Sequence, residues 1–318
     1  MADRINGLAL LFPGQGSQAA GMGKELASNH AVARQTFEEA DEALGYSLSK
    51  LCFEGPDEQL RLTEITQPAI LTVSIAAYRV LAEAGITPSF VAGHSLGEYS
   101  AHVAAGTLTF ADAVRTVRQR GKYMQEAVPV GVGAMAAILA LPLETIRGAC
   151  QEAAALFAGE TCEPANINSP GQVVISGSKA CVEKAAELCK QKGAKRAVML
   201  PVSAPFHCSL MQPAQDRLAE DLRGLNFLTP KVPVMCNVEA VPVTDGDKAR
   251  ETLVRQVTGA VQWESSMRAL VALGVNRFVE AGPGAVLTGL LRQIDKTQSC
   301  VNVENEASLQ KCKAQFES

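Results

Sequence analysis

Short apolar runs that end at glycine alternate with amphipathic helical stretches along this chain. The clearest runs are LALLF before PGQG, FVAG before HSLGEYSAHVAAG, and RFVEAG before PGAVLTGLL. Strands and helices in alternation are typical of an α/β protein with a mainly parallel sheet. We therefore expect an α/β fold whose glycine turns lie at the carboxyl ends of strands, where such sheets bind ligands.

The pattern changes between residues 132 and 201. Six segments there are predicted as strand, helix, strand, strand, helix and strand: AMAAILAL, LETIRGACQEAAALF, CEPANIN, QVVISG, KACVEKAAELCKQKG and AKRAVMLPV. This order is that of a ferredoxin-like unit. We expect Ser178 to cap its second helix and Gly193 to end it. The sequence thus predicts a ferredoxin-like insert, 132–201, in a larger α/β domain formed by 1–131 and 202–318.

Composition narrows the classes of partner. The 318 residues are 47% hydrophobic, which is ample for a large core, and the net charge is -4. This charge gives no general reason to bind nucleic acid or an anionic membrane. The apolar run Leu8–Phe12 is too short for a signal-peptide core, and no other stretch approaches the roughly 18 apolar residues of a membrane span. We expect a monomer with no nucleic-acid or membrane partner.

Cysteine and histidine usage gives a second restriction. The nine cysteines are scattered, and no two have the spacing C-x-x-C. An odd, dispersed set without an export signal predicts reduced thiols in the cytoplasm. None of the four histidines pairs with a cysteine at zinc-finger spacing, so we expect no metal site.

The segment Gly93-His94-Ser95-Leu96-Gly97 fits the pattern G-x-S-x-G between a predicted strand and a predicted helix. At such a sharp turn the serine adopts strained backbone geometry, and the glycines avoid collisions on either side. The start of the following helix offers free N–H groups to a negative oxygen. This predicts Ser95 as a nucleophile; an ordinary turn with an exposed serine is the alternative.

A serine nucleophile needs a base, because its hydroxyl is weak at neutral pH. His207 ends the loop 203–207, just after the apolar run AVMLPV, and loops at strand ends commonly carry catalytic side chains. His94 adjoins the serine, but neighbours on a tight elbow point apart, so we expect a structural role. His102 and His30 lie in helical stretches and are expected to be structural or solvated. His207 is therefore the candidate base.

The loop FPGQGSQ at 12–18 also follows a predicted strand. It lacks the lysine of a P-loop, and it does not complete G-x-G-x-x-G because position 19 is alanine. A loop that presents backbone N–H groups to a developing oxyanion is the functional interpretation. A simple glycine turn is the alternative.

Three arginines, Arg115, Arg118 and Arg120, lie on a predicted helix that starts near Ala111. A solvated basic face would explain all three. One buried arginine, however, is what a site needs to hold a carboxylate through two parallel hydrogen bonds. The residues alone do not choose among the three.

Eight segments in chain order resemble one known family: FPGQGSQ at 12–18, TQPAI at 66–70, GHSLGEYSA at 93–101, RGKYMQEAVP at 120–129, NINSPGQVVISG at 166–177, PFH at 205–207, QW at 262–263 and EAGPGAVL at 280–287. The chain resembles the bacterial malonyl-CoA:acyl carrier protein transacylases nearly end to end. These enzymes belong with the acyltransferase domains of fatty acid and polyketide synthases. The resemblance implies an α/β-hydrolase-like core with an inserted ferredoxin-like subdomain, in agreement with the pattern.

The resemblance also implies roles for particular positions. Ser95 aligns with the family's nucleophile and His207 with its base. Arg120 aligns with the arginine that binds the malonyl carboxylate, which chooses among the three arginines. Gln15 and Leu96 align with the residues whose backbone N–H groups form the oxyanion hole.

Two further positions lie in segments that match the family pattern less closely. Gln256 aligns with a residue whose backbone carbonyl orients the histidine, although VTGA beside it departs from the family spelling. Phe206 resembles the phenylalanine of malonyl-selective synthase domains, whose ring would crowd a substituent on the malonyl α-carbon.

The implied activity is a ping-pong transfer of malonyl from malonyl-CoA to the phosphopantetheine thiol of acyl carrier protein, without a cofactor, for fatty acid synthesis. A serine esterase or thioesterase of the α/β-hydrolase class is the alternative, since it shares G-x-S-x-G. Such enzymes usually add an acidic residue between serine and histidine, and Glu160 and Glu163 are available there. A non-catalytic carrier-binding module is a second alternative, but it would have no use for Ser95, His207 and Arg120 together.

Overall fold

Two β-sheets with helices packed around them make up the part of the chain that the computed structural model describes, residues 7–202 and 204–316. The ten strands of these residues are β1 (Leu8–Phe12), β2 (Phe90–Gly93), β3 (Gly133–Leu139), β4 (Cys162–Ser169), β5 (Gln172–Ser178), β6 (Arg196–Met199), β7 (Val234–Met235), β8 (Pro242–Val243), β9 (Arg277–Ala281) and β10 (Ser299–Val303). The α-helices of the same residues are α1 (Lys24–Asn29), α2 (Ala31–Leu44), α3 (Leu48–Glu54), α4 (Asp57–Leu60), α5 (Thr63–Glu83), α6 (Gly97–Ala104), α7 (Phe110–Glu126), α8 (Leu143–Leu156), α9 (Lys179–Gln191), α10 (Gln212–Arg223), α11 (Gly246–Arg255), α12 (Trp263–Ala272), α13 (Val286–Ile294) and α14 (Glu306–Ala314).

The larger sheet has the strand order β10-β9-β1-β2-β7-β8, and all its pairings are parallel except that of β8 with β7. Strand β1 lies in the interior of the sheet and is buried on both faces. Leu8, Leu10 and Phe12 pack into one apolar cluster, while Ala9 and Leu11 pack into another. Because successive side chains point to opposite faces, a strand covered on both sides must be apolar throughout, as LALLF is.

The three glycine turns that the sequence analysis identified meet at one edge of this sheet. Strands β9, β1 and β2 are neighbours and run parallel, so their carboxyl ends lie side by side. The expected mixed α/β architecture with a mainly parallel sheet is confirmed. The turn after β1 and the turn after β2 thereby become adjacent.

The second sheet contains four antiparallel strands in the order β4-β5-β3-β6. Between Gly133 and Met199 the elements follow one another as β3, α8, β4, β5, α9 and β6, the order that the sequence predicts. This sheet has its own apolar core, a cluster of buried residues to which Ile138 and Ile175 of the strands and side chains of both helices belong.

One detail of this segment differs from the prediction. Ser178 precedes α9 at the N-cap position, but its side chain makes no capping hydrogen bond. Its Oγ instead accepts a hydrogen bond from the backbone N–H of Thr161 at 3.3 Å, because β4 begins beside it. Gly193 follows the helix with a φ of +102°, as expected for the residue that ends it.

Backbone hydrogen bonds join the small sheet to the larger unit. The N–H of Ile167 donates to the carbonyl of Val261 at 2.9 Å, and the N–H of Val261 donates to the carbonyl of Ala165 at 2.8 Å. These two bonds tie β4 to the segment before α12. The small sheet is therefore attached to the larger unit by backbone hydrogen bonds at this point.

Helix α5 corrects the expectation that no further stretch is apolar enough to span a membrane. The helix has 21 residues, and an 18-residue window of it has a mean hydropathy of 1.3, which by length and composition is enough to cross a membrane. However, 78% of the tested window is buried inside the protein. Helix α5 is thus a core helix that is apolar on nearly all sides because other elements surround it.

Candidate active site

Ser95 occupies the sharp turn between β2 and α6 and has a φ of +51°, in the left-handed region. A Cβ added to Gly93 would lie 1.9 Å from the carbonyl carbon and oxygen of Gly97. A Cβ added to Gly97 would lie 2.1 Å from the carbonyl oxygen of Phe12. Both glycines are therefore required by close backbone contacts, as the pattern predicted. The second contact also packs the serine turn against the end of β1.

Asn237, which the sequence analysis missed, holds this turn from the next strand of the sheet. Its Oδ1 accepts a hydrogen bond from the Ser95 backbone N–H at 2.7 Å, and its Nδ2 donates to the Gly93 carbonyl at 2.7 Å. Asn237 is 1% exposed and follows β7, which pairs with β2. A polar residue just after a buried strand was the only signal in the sequence.

Ser95 and His207 are in direct contact. Ser95 Oγ lies 2.7 Å from Nε2 of His207, and Nδ1 of the same ring lies 2.9 Å from the Gln256 carbonyl and 3.2 Å from that of Gly259. Because a carbonyl only accepts, Nδ1 must carry the proton in the neutral ring. Nε2 then has a free lone pair that accepts the serine hydroxyl proton. The loop residues 204–207 lie as predicted after β6, and Ser203 lies outside the described residues.

The His207 ring is poised as a neutral base. Burial, and next the nearby charge of Arg120, lower the pKa of His207 to about 3. The two backbone carbonyls act in the opposite direction, but they carry only partial charges and do not offset the loss of water. The ring therefore stays uncharged at neutral pH and can take a proton.

No carboxylate contacts His207 among residues 7–202 and 204–316, where its Nδ1 is held by backbone carbonyls. Glu163, one of the two acids considered for an esterase triad, instead accepts hydrogen bonds from Thr161 and Ser209. Glu160 is likewise absent from the partners of the ring within these described segments. The site is thus a serine–histidine pair oriented by backbone.

Arg120 lies in the same site and is 1% exposed. Its Nη1 donates to Gln67 Oε1 at 2.8 Å, and its Nη2 donates to Gln256 Oε1 at 2.9 Å and to Ser95 Oγ at 3.1 Å. All three acceptors are uncharged. A buried guanidinium held by neutral groups next to a reactive hydroxyl is suited to bind an anionic group there.

The structure separates Arg120 from the two other arginines of α7. Arg115 donates to the Ala43 carbonyl at the surface, and the Arg118 guanidinium lies 5.0 Å from the ring centre of Tyr46. Of the three arginines, only Arg120 points to Ser95, because it lies on the buried face of α7 that packs against α5. The geometry therefore favours Arg120, the arginine that the family resemblance also indicates.

The two predicted oxyanion donors line one cavity of about 430 Å³ with Ser95 and His207. Gln15 comes from the loop after β1, and Leu96 follows Ser95. Within the described segments neither backbone N–H donates a hydrogen bond to another group. Two free N–H groups beside a nucleophile are what an oxyanion hole requires.

The cavity lies between the two sheets. Met135 of β3 and Asn166 of β4 line it from the small sheet, and Phe206 lines it from the loop before His207. Phe206 is 9% exposed, so its ring forms part of the wall rather than of the outer surface. An acyl group bound at Ser95 would be enclosed by residues of both units.

A buried carboxyl, Glu98, lies behind the serine turn and was not identified as a site residue. Burial raises the pKa of Glu98 to about 7, against the hydrogen bonds from Gln256 and Asn237 and the charge of Arg120. Of these two partners, Gln256 holds Arg120 and Asn237 holds the serine turn. Glu98 is therefore part of the site although it does not line the cavity.

The other histidines have the structural roles that were expected. His94 is fixed by a 2.8 Å hydrogen bond between its Nε2 and Asn168 Oδ1, and its ring lies 5.4 Å from that of Trp263. His30 pairs with Glu306. His102 is fully buried on α6, and both of its ring nitrogens lack a hydrogen-bond partner among the described residues.

Replacing His102 by leucine is expected to make the protein less sensitive to acid. Burial lowers the pKa of His102 to about 3, so between the unfolded value of 6.5 and about 3 only the unfolded chain binds this proton. The free energy of unfolding therefore falls as the pH drops, by about 1.4 kcal/mol per unit for this histidine. Urea unfolding at pH 6.0, 5.5 and 5.0 should show a slope smaller by about this amount in His102→Leu; an unchanged slope would contradict the assignment.

A neutral serine–histidine pair with free N–H donors and a buried arginine, on an α/β fold, is an arrangement that can form an acyl ester on the serine. The model of the acyl transferase domain family matches residues 9–314, and the chain belongs to this family. The malonyl CoA-acyl carrier protein transacylase of Escherichia coli K12 is 53% identical over 290 residues, which cover 91% of this chain and 93% of that protein.

Two solved structures are similar in fold as well as in sequence. The crystal structure of an acyl carrier protein S-malonyltransferase from Vibrio cholerae has a TM-score of 0.94 at 50% identity, and the match covers 96% of this chain and 100% of that one. A malonyl-transacylase in complex with a type II polyketide synthase acyl carrier protein has a TM-score of 0.94 at 48% identity, and the match covers 97% and 99%.

Proposed function

We propose that this protein transfers the malonyl group of malonyl-CoA to the phosphopantetheine thiol of acyl carrier protein, through a malonyl ester on Ser95. Close relatives of nearly equal length carry the name of this activity, and one solved relative is bound to its acyl carrier protein. The product, malonyl-acyl carrier protein, would supply fatty acid synthesis.

The observation that carries the proposal is the position of Arg120. Its guanidinium is buried and reaches Ser95 Oγ at 3.1 Å, and its hydrogen-bond acceptors within residues 7–202 and 204–316 are uncharged. An esterase for neutral acyl groups has no use for a desolvated cation at this place. A malonyl ester on Ser95 carries its free carboxylate a few bonds from the ester oxygen, where Arg120 would hold it.

The first half-reaction acylates the serine. Ser95 Oγ gives its proton to His207 Nε2 and attacks the thioester carbonyl carbon. The oxyanion accepts hydrogen bonds from the N–H groups of Gln15 and Leu96, each worth about 3 kcal/mol in the transition state. The carbon–sulfur bond then breaks, and coenzyme A leaves with the proton that His207 returns.

The second half-reaction reverses these steps with another thiol. The phosphopantetheine thiol gives its proton to His207, its sulfur attacks the ester carbonyl, and Ser95 regains a proton as the carbon–oxygen bond breaks. One thioester replaces another, so the overall equilibrium lies near balance and the reaction consumes no redox cofactor. The Gln256 carbonyl keeps the His207 ring in the orientation that both halves need.

Phe206 supports malonyl as the acyl group. Its ring belongs to the cavity wall beside His207, where a substituent on the malonyl α-carbon would meet it. A methylmalonyl group would therefore bind less well than malonyl.

We also propose the finer description of the fold and of the setting. The larger unit, 1–131 and 202–318, is an α/β-hydrolase-like core, and 132–201 is a ferredoxin-like insert; residues 1–6, 203, 317 and 318 of these ranges lie outside the described residues. The observed strand order and antiparallel pairing of the small sheet support this. The nine cysteines are free, which supports a reducing cytoplasm. The protein would act as a monomer, without cofactor, metal, nucleic acid or membrane.

The test is a single labelling experiment. The protein is incubated with radiolabelled malonyl-CoA, the adduct is trapped and mapped, and then either holo acyl carrier protein or water alone is added. Label on Ser95 that moves to the carrier faster than it is lost to water supports the proposal. Ser95→Ala serves as the control that must not acquire label.

The other outcomes identify the alternatives. Rapid loss of label to water without transfer would indicate a hydrolase. Complete absence of label in the wild-type protein would indicate a carrier-binding module without chemistry. Either result would refute the proposed transfer.

A further inference from the structure

Glu98 is the only carboxyl group among the described residues that hydrogen-bonds both to Asn237, which holds the turn carrying Ser95, and to Gln256, which holds Arg120. It is fully buried on the first turn of α6. Its Oε2 accepts hydrogen bonds from Gln256 Nε2 at 2.7 Å and from the Asn237 backbone N–H at 3.2 Å. Its Oε1 has no partner within these residues. Burying a carboxyl in this way is costly, so packing alone is a poor explanation.

The side chain of Gln256 is the branch point of this arrangement. Its Nε2 donates to Glu98 and also to the Ser95 carbonyl at 2.8 Å, while its Oε1 accepts from Arg120 Nη2 at 2.9 Å. If the Gln256 amide were flipped, its N–H groups would face the N–H groups of Arg120. Its oxygen would then face the Glu98 carboxylate and the Ser95 carbonyl, which are also acceptors. The two acceptors, Glu98 and the Ser95 carbonyl, thus fix which end of the amide faces Arg120.

Glu98 also supports the serine turn through Asn237. The backbone N–H of Asn237 donates to Glu98, and the side chain of Asn237 holds Ser95 and Gly93. Loss of this bond would loosen the nucleophile for every acyl group. Loss of the bond to Gln256 would instead misdirect Arg120, which matters only for acyl groups with a carboxylate. The hydrogen bond from Asn237 and the hydrogen bond from Gln256 therefore have separable effects on catalysis.

We propose that Glu98 is a positioning residue that sets malonyl selectivity: the hydrogen bond it accepts from the Gln256 amide aims Arg120 at the substrate carboxylate. The inference rests on the proposed function, since it concerns the same site. Glu98 does not contact the substrate. It acts through Gln256, whose orientation it determines.

The test compares two replacements of similar size. Glu98→Met fills the space without an acceptor oxygen. Glu98→Gln keeps one oxygen that can accept from Gln256 and Asn237 as Oε2 does, and its NH₂ group takes the place of Oε1, which has no partner among the described residues. The readout is the ratio of kcat/KM for malonyl-CoA to that for acetyl-CoA in labelling of Ser95. We expect Glu98→Met to lower this ratio at least about tenfold, since a misplacement of about 1 Å costs up to about 10²-fold. Glu98→Gln should keep the ratio within about threefold of the wild type.

Glu280→Gln is a matched control for the loss of a buried carboxyl. Glu280 is also fully buried, but it accepts hydrogen bonds from Leu287 and Thr288 at the start of α13 and does not line the cavity. Its replacement should leave the ratio of kcat/KM values unchanged even if it lowers stability. This separates a general stability effect from the proposed positioning.

A double-mutant cycle tests the route through Gln256. Gln256→Ala removes the amide but keeps the backbone carbonyl that orients His207, and it should lower the ratio as Glu98→Met does. The double variant should lower it no further. Equal losses for both substrates in Glu98→Met, no rescue by Glu98→Gln, or additive losses in the double variant would each overturn the inference. If Glu98→Met does not fold, an unchanged ratio in Gln256→Ala overturns it as well.

The same series separates this inference from the proposed function. If wild-type protein never carries malonyl on Ser95, the proposed function fails whatever the Glu98 variants do. If the wild type carries malonyl and the ratio is insensitive to Glu98 and Gln256, only the positioning role fails.

Discussion

Arg120→Ala is expected to lower kcat/KM for malonyl transfer by about 10³-fold while leaving acetyl transfer within about threefold of the wild type, or raising it. Arg120 is buried and its acceptors in the described part of the chain are uncharged, so the malonyl carboxylate would supply the counter-charge that no carboxylate of that part provides in direct contact. Removing one partner of a buried charge pair costs about 4 kcal/mol, which corresponds to this factor. Acetyl lacks the carboxylate, so acetyl transfer loses only the contact between Arg120 and Ser95 Oγ. Initial rates with malonyl-CoA and acetyl-CoA measure both values.

Arg118→Ala provides the control on the same helix. Its guanidinium lies over the Tyr46 ring, away from the cavity, so both rates should stay within about twofold. If Arg120→Ala instead reduces malonyl and acetyl transfer equally, Arg120 does not bind the carboxylate. Its contact with Ser95 Oγ would then be its main contribution.

The parts of the site that could be predicted from sequence are those whose chemistry is local. Gly93, Ser95 and Gly97 lie within five residues, and the close backbone contacts that require both glycines follow from the turn itself. The strands before the turns could be predicted because burial on both faces leaves a continuous apolar run. His207 could be ranked above the other histidines because it ends the loop after an apolar run.

The parts that could not be predicted depend on contacts between distant segments. Asn237 reaches Ser95 across 142 positions, and Gln67 reaches Arg120 across 53. Nothing in the residues around Arg120 distinguishes it from Arg118, since the packing of α7 against α5 decides which side chain is buried. The same packing explains why α5 has the composition of a membrane span, although it is surrounded by protein.

The side chain of Gln256 shows the limit of the family resemblance. The resemblance implied a role for its backbone carbonyl, which does hold the His207 ring. It did not indicate that the amide links Glu98, Ser95 and Arg120. An alignment of motifs identifies positions, whereas the hydrogen bonds of a buried amide depend on three elements that converge only in the fold.

Replacement of His207 by alanine is expected to slow formation of the malonyl-Ser95 ester by about 10⁶-fold, the size of the loss found when the histidine base of a serine nucleophile is removed. Nε2 of His207 is the only imidazole nitrogen among the described residues within hydrogen-bond distance of Ser95 Oγ. Single-turnover labelling with malonyl-CoA at pH 7.5 measures the rate. His102→Leu, a buried histidine outside the cavity, should retain the wild-type rate within about threefold.

The pH dependence of the wild type tests the protonation state that this role requires. Because the pKa of His207 is lowered to about 3, the base is already neutral at pH 5. An ordinary histidine would instead be protonated below pH 6.5, and kcat/KM would fall about tenfold per unit beneath it. The rate of Ser95 labelling at limiting malonyl-CoA should therefore show no such fall between pH 6.5 and 5. The prediction is contradicted if the rate falls about tenfold per pH unit in that interval and a variant without His207 shows no such fall. Water would then reach the His207 ring, and burial would not determine its protonation state.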